Sequence, residues 1–314
     1  MKWTKPYGMR EGFLIGGGVL IAGLILELSV GPVVWDAFRW PVNGMVMGGF
    51  LMLIAIVHLL GKKVYGFQFI GKYKAAIPVL VYALVLTIVM GLTRQTSPSF
   101  SRSNGGEGSM WINNMLSFWP FVLVYAYMAF ILGLVVLRRF GRLRHGCGIQ
   151  DVAFLLNHLG LFLAMTTATL GNADIQRLRM ITMKGAPERR AMNQQGIIVE
   201  IPFAIELNEF VMETYDNGSP KRFASDIQIM TKERKNFPAT VEVNKPVEFD
   251  GWKIYQYGYD TQMGAMSNTS IFELVSDPWL PLVYTGIYMM LAGAVCLFVF
   301  GNRKSKDRHP SLKS

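Results

Sequence analysis

Cysteine is almost missing from this chain: its 314 residues include two, Cys147 and Cys296. Cys147 is expected in a cytoplasmic loop and Cys296 late in the last apolar window, both on the reducing side, so no structural disulfide is expected. No Cys-x-x-Cys pair is present for thiol exchange, and no Cys-x-x-Cys-His for covalent haem. Histidine is equally scarce, with four residues, His58, His145, His158 and His309. No hydrolytic triad, phosphate-binding glycine loop or dinucleotide fingerprint occurs. Acidic residues are outnumbered, 21 against 31 basic, for a net charge of +10.

What the chain has in abundance is apolar sequence. Hydrophobic residues make up 51% of it, and they are clumped rather than periodic, which points to membrane spans. Six windows qualify, at about residues 13–30, 42–60, 75–92, 118–137, 152–170 and 282–300. The last window carries no charge and, at 1.5 Å per residue, covers roughly 28 Å, close to a bilayer's hydrocarbon thickness. Pro278 and Pro281 precede it and suit a helix start, where a missing amide costs nothing.

The basic residues sit where the positive-inside rule places them. Lys2, Lys5 and Arg10 precede the first window. Lys62, Lys63, Lys72 and Lys74 join the second and third, and Arg138, Arg139, Arg142 and Arg144 join the fourth and fifth. Arg303, Lys304, Lys306, Arg308 and Lys313 follow the sixth. The opposite loops hold Arg39, Arg94 and Arg102. Both termini are therefore expected in the cytoplasm, with residues 172–277 on the extracytoplasmic side. No nucleic-acid partner is expected, and the first window is expected to stay as an anchor because it lacks a small-residue cleavage site.

Four regions follow: an N-terminal two-helix hairpin with its cytoplasmic loop (1–74), helices three to five (75–171), an outer domain (172–277), and a last helix with a basic tail (278–314) that is drawn weakly to anionic lipid. The outer domain reads as an antiparallel β sandwich or open barrel. Strand candidates near 196–207, 210–215, 225–230, 240–243, 252–257 and 270–275 are separated by turns such as Asp216-Asn217-Gly218-Ser219-Pro220 and Asp250-Gly251. The basic stretch 174–191 is expected to be a surface helix or ordered loop.

His58 and His158 fall inside predicted spans at similar depth, and an ionisable residue there is a functional candidate by default. A neutral imidazole is a good axial ligand for haem iron, but it serves equally to hydrogen-bond a neighbouring helix. Glu27, near the outer end of the first helix, has three readings: a proton relay, a partner for Arg39, or a side chain that snorkels to water. Asn157 either orients a ligand or makes polar contacts within the bundle. Asn114-Met115-Leu116-Ser117-Phe118-Trp119-Pro120-Phe121 reads as an interfacial aromatic belt at the entry to the fourth helix. Glu200, Glu206, Glu209 and Glu213 look like a solvated strand face.

Three motifs carry most of a family resemblance, to which Gly91-Leu92-Thr93-Arg94-Gln95 and Ser117-Phe118-Trp119-Pro120-Phe121 add a looser similarity to the ends of the family's first helix pair. Val243-Asn244-Lys245-Pro246 through Asp250-Gly251-Trp252-Lys253-Ile254-Tyr255-Gln256 is similar to the strand pair VN.P....G..IYQ of the ResB or CcsB subunit of the system II cytochrome c maturation machinery. Residues 272–286, containing Asp277-Pro278-Trp279-Leu280-Pro281, resemble that family's approach to its last helix. Asn157-His158-Leu159-Gly160-Leu161 resembles the His-Leu-Gly start of the helix before its outer domain. The first two helices are an addition to the usual four-helix form, and the outer domain is shorter than is common.

The resemblance implies a subunit that works with a CcsA-type haem-handling protein to bring haem across the membrane and attach it to apocytochrome c. A thioredoxin-like thiol reductant is a further implied partner. It implies haem b, held transiently and shared with the partner, and a place in a holocytochrome c synthase complex without catalysis by this chain alone. On the motif match His158 is the candidate axial ligand to haem iron, with His58 second. The partner's tryptophan-rich motif is absent here. Open strand edges on the outer domain would hold an extended apocytochrome segment by strand addition. Two other readings compete: a membrane electron carrier with haem b between His58 and His158, and a haem-free anchored scaffold.

Overall fold

A computed structural model describes residues 6–95, 111–143, 148–217, 219–233 and 235–300. His145 and Cys147, most of the polar loop 94–114, and the basic tail with His309 lie outside the described residues. Two compact units emerge, one of Met1–Ala173 with Trp279–Ser314 and one of Asp174–Pro278.

The first unit is helical. Six of its helices are long and apolar enough to cross a membrane: α1 (Met9–Val30), α2 (Val42–Leu60), α4 (Tyr73–Leu92), α5 (Trp119–Leu143), α6 (Ile149–Gly171) and α7 (Leu280–Phe300). A short α3 (Tyr65–Ile70) links α2 to α4. Because lipid is as apolar as leucine, such helices associate through close packing and hydrogen bonds rather than burial from water. Small residues supply that closeness. A Cβ on Gly160 of α6 would come 2.6 Å from the carbonyl oxygen of Gly286 on α7, and one on Gly293 would come 2.5 Å from Nδ2 of Asn157. Gly12, Gly16 and Gly23 bring α1 equally close to Pro78, Tyr82 and Pro120. Helix α5 is central, packing on α1, α2, α4 and α6.

The second unit is an eight-stranded antiparallel sheet in the order β5-β4-β3-β2-β1-β8-β7-β6. Its strands are β1 (Gln176–Met183), β2 (Glu188–Asn193), β3 (Ile198–Thr214), β4 (Pro220–Met230), β5 (Asn236–Glu242), β6 (Val247–Phe249), β7 (Trp252–Tyr259) and β8 (Thr269–Ser276). The sheet rolls into an open barrel. Ser225 of β4 and Ser270 of β8, far apart in strand order, meet across the interior at 2.7 Å between hydroxyl oxygens. At the sheet's two ends, Phe237 of β5 and Phe249 of β6 bring their rings to 5.4 Å. The two edge strands therefore face each other, and Pro238 removes an amide from β5, so little open edge is left for strand addition.

The barrel core contains Leu178, Met180, Phe203, Ile205, Leu207, Ile227, Ile229, Val241, Ile254, Phe272 and Leu274. Along β3 the large buried side chains are at 201, 203, 205, 207 and then 210, because a bulge between Leu207 and Glu209 shifts the alternation by one, and the small Ala204 is buried as well. This merges two expected strands into one. In the motif resembling the family strand pair, Asp250 (φ 48°) and Gly251 (φ 78°) form a two-residue turn between the paired Phe249 and Trp252. Two successive positive φ values make it the hairpin turn that Asp-Gly favours.

One expectation is corrected. Residues 174–191 are neither helix nor loop but contain β1 and the start of β2. Leu178, Met180 and Thr182 point inward while Arg177, Arg179, Ile181 and Met183 alternate outward. Arginine on the outer face obscured the two-residue period.

Candidate functional site

The two membrane histidines sit on helices that share a packing face with α5. Nδ2 of Asn43, at the start of α2, donates to the carbonyl of Leu170 near the end of α6 at 3.3 Å. Farther along, Phe50 stacks on Phe162, centroids 6.4 Å apart and planes within 5°. The two helices thus run antiparallel. Ile54, Val57, Leu134 and Phe162 close a buried cluster between α2, α5 and α6.

On α2, Phe50, Ile54 and His58 follow one another at four-residue intervals. Phe162, His158 and Phe154 do so on α6 in the opposite sense, so each set forms one stripe. The register set by Asn43 and Phe50 carries His58 to the level of Phe154 and His158 to the level of Ile54. The histidines are then about one helical turn, roughly 6 Å, apart in depth. Neither is hydrogen-bonded to the other in the described structure.

Their surroundings differ. His158 Nδ1 lies 2.9 Å from the Phe154 carbonyl oxygen, and its ring stacks on the Phe154 ring at 3.8 Å and 18°. A carbonyl can only accept, so Nδ1 carries the proton and Nε2 keeps its lone pair. His58 is half-buried, and its buried Nδ1 has no hydrogen-bond partner among the described residues. Asn157 faces the other way, towards α7, and Nδ2 donates to the Ala153 carbonyl at 2.9 Å.

Arg139 of α5 also reaches the His158 stripe. Its guanidinium pairs with Asp151 in the first turn of α6 and lies 4.8 Å from the Phe154 ring centroid. Arg139 Nε is buried without a partner among the described residues. Sequence reading passed over Arg139 and Phe154. The only local signal was the four-residue spacing of Phe154 and His158, since the arginine arrives from another helix.

No group of three or more His, Cys, Asp or Glu among the described residues could hold a bare metal ion. One or two imidazoles with a free ring nitrogen are a different donor set: they suit an iron whose other ligands come from a porphyrin. His158 Nε2 and the unpartnered His58 Nδ1 fit that requirement.

Glu27 has a structural role that sequence reading did not reach. It is buried, and its Oε2 accepts the backbone N–H of Trp119 at 3.1 Å. That amide opens α5, and Pro120 has none to offer, so a carboxylate from α1 caps the positive end of another helix. Trp119 Nε1 in turn donates to the Gly31 carbonyl at 2.9 Å. Arg39 pairs with Asp36 instead, at 2.8 Å.

In the β unit the charged groups pair along the surface. Hydrogen bonds from Arg190 hold the Glu188 carboxyl at about 2, aided by the Arg189 and Arg190 amides. Arg222, bound by Glu242 and Glu213, lowers both carboxyls. The remaining polar atoms of the barrel interior satisfy one another: Ser225 bonds Gln256, Gln256 bonds the Gly258 carbonyl, and Thr182 bonds the Ser270 carbonyl.

Six membrane-length helices and a rolled antiparallel sheet define a class: a polytopic membrane protein with a helical membrane part and a β domain. Within that class, residues 148–272 match the model of the ResB-like family. The resemblance read from the motifs is thereby supported, and the matched segment runs from the helix carrying His158 through the β unit as far as Phe272.

Among curated proteins, the "Cytochrome c biogenesis protein CcsB" of Prochlorococcus marinus subsp. pastoris is 25% identical over 138 residues, covering 44% of this chain and 31% of that protein. The "Cytochrome c biogenesis protein Ccs1" of Pyropia yezoensis is 42% identical over 59 residues, covering 18% of this chain and 13% of that protein. The matches thus span less than a third of the relatives' lengths. A solved "Cytochrome c Heme Lyase CcmF" aligns with 94% of this chain and 46% of its own, at a TM-score of 0.38 and 12% identity. A likeness that slight defines neither fold nor function.

Proposed function

We propose that this chain acts in cytochrome c biogenesis as a ResB-like subunit. In this reading it helps haem cross the membrane and be joined to apocytochrome c, together with a CcsA-type haem-handling partner. The observation that carries the proposal is the ResB-like match, because it unites the His158 helix and the β unit in one family segment. The names of the curated relatives, both cytochrome c biogenesis proteins, support the same role.

His158 is the residue we assign to haem, with His58 as a second ligand or helper. The hydrogen bond from Nδ1 to the Phe154 carbonyl leaves Nε2 free, and such a bond fixes ring orientation and raises ligand basicity. Haem, when bound, would supply an iron that accepts this nitrogen. The chain's contribution is to hold the ring in a lipid-facing bundle that excludes bulk water, with the β unit on the extracytoplasmic side to meet the apocytochrome. The lysine and arginine loops support an orientation with both termini in the cytoplasm.

The test is complementation of a strain lacking this gene. His158→Ala should abolish haem-stained cytochrome c while the chain still accumulates in the membrane. Undiminished holocytochrome c in that strain would overturn the assignment of His158. A second reading, a haem b electron carrier, is favoured by the unpartnered His58 Nδ1 on the same packing face. Reversible redox cycling of haem on the purified chain without a partner, lost in both His58→Ala and His158→Ala, would select it.

A further inference from the structure

We infer that Asp151, Arg139 and Phe154 form a positioning device that fixes the His158 imidazole for an iron porphyrin, an inference that rests on the haem reading above. The connection is continuous. Asp151 is itself anchored, since one carboxylate oxygen accepts the Gly148 N–H at 3.1 Å and the other pairs with Arg139. The guanidinium lies with its carbon 4.8 Å from the Phe154 centroid, a cation over an aromatic ring. The Phe154 ring covers the imidazole at 3.8 Å, and the Phe154 carbonyl takes the Nδ1 proton.

Each contact constrains a different freedom. The ring stack sets the plane of the imidazole, the hydrogen bond sets its tautomer, and the arginine holds the phenyl ring against rotation. A fixed tautomer with Nε2 bare is what an axial ligand requires.

Purely structural packing would not explain why Arg139 leaves Nε buried and unpaired among the described residues. An unmade buried bond opposes folding, and here it is borne by a guanidinium that lies over the ring stacked on His158. Sequence alone could not have assembled the device, because α5 and α6 contribute to it jointly.

The experiment uses the purified full chain in nanodiscs, titrated with haemin and followed by its Soret and visible spectra. Wild-type protein should give a spectrum that His158→Ala abolishes. Phe154→Leu and Arg139→Gln should each weaken haemin binding by about tenfold, the scale on which partners of a ligating histidine act, and should change the spin-state bands while leaving helical content and size unchanged. Phe154→Tyr, which keeps the ring, should restore the wild-type spectrum. If His158→Ala abolishes the spectrum but Phe154→Leu and Arg139→Gln bind and absorb as wild type does, the device is refuted and the haem assignment stands. If the wild-type spectrum does not depend on His158, both fall. Should Phe154→Leu fail to fold, Arg139→Gln and Asp151→Asn decide the matter in the same assay.

Discussion

The helical unit and the β unit treat buried polar atoms in opposite ways. Among the described residues the buried side-chain atoms that lack a hydrogen-bond partner are His58 Nδ1, Tyr127 Oη and Arg139 Nε, and all three are in the helical unit. The β unit closes its accounts internally: Ser225, Ser270, Gln256 and Thr182 satisfy one another within an apolar barrel. A barrel gains stability by removing apolar surface from water and tolerates a polar layer when every member is paired. Helices in lipid gain nothing from such burial. In this chain they are held by glycine-mediated contact and by single bonds such as Glu27 to Trp119, and the unpaired nitrogens lie on or beside the face that carries both histidines. The contrast teaches where binding chemistry is available and where only stability is at stake.

The largest test of the contrast is in the barrel. Phe203→Ala should remove about 3–5 kcal/mol from the β unit, and limited proteolysis of the full chain in detergent should cut within residues 174–278 while the helical unit stays protected. Protection of the barrel equal to wild type would contradict the burial of that ring. Next comes the glycine contact. Gly286→Val should cost about 1–3 kcal/mol through overpacking, read as earlier loss of α6–α7 proximity in a cross-linking series against denaturant.

Glu27→Ala should be milder, about 2 kcal/mol for a lost bond to a charged group, seen as a lower melting temperature in detergent. Glu27→Gln should recover part of it, because an amide oxygen still accepts the Trp119 amide. His58→Leu sharpens the comparison by its sign. Removing an unpaired buried nitrogen should leave stability unchanged or raise it by about 1 kcal/mol; a clear loss would mean that His58 already has a structural partner.

The smallest effect is the pH response of Glu188. Its carboxyl is held at about 2 against an ordinary 4.5, so its contribution is present above about pH 4.5 and is lost as pH falls towards 2. Arg190 is exposed, so this contribution should stay below about 1 kcal/mol. Glu188→Gln should flatten the acid limb of the β unit's melting curve by that amount and leave neutral pH almost unchanged.

How far the sequence could be read depended on the range of the interaction. The six spans were legible because each is a single apolar run of bilayer length with at most one acidic or basic residue. The turn at Asp250-Gly251 was legible because two adjacent residues carry the whole signal. Strands β1 and β2 were not, since Arg177, Arg179 and Arg190 and the exposed Ile181 and Met183 broke up the apolar alternation. The bulge in β3 split one strand into two expected ones for a similar reason. The cap that Glu27 places on α5 spans 92 positions, and nothing local to Glu27 distinguishes a cap from a proton relay.

By itself, then, the sequence determined the six membrane-length helices, the β character of the domain before the last helix and the motifs that resemble the ResB family, because hydrophobic run length, turn chemistry and short motifs are properties of neighbouring residues. Only the tertiary structure decided which nitrogen of His158 is free, that His58 shares its packing face, that Arg139 and Phe154 stand behind it, and that the barrel's edges face each other. Those facts depend on the register between separate helices and on the roll of a sheet, which packing sets and local sequence does not encode.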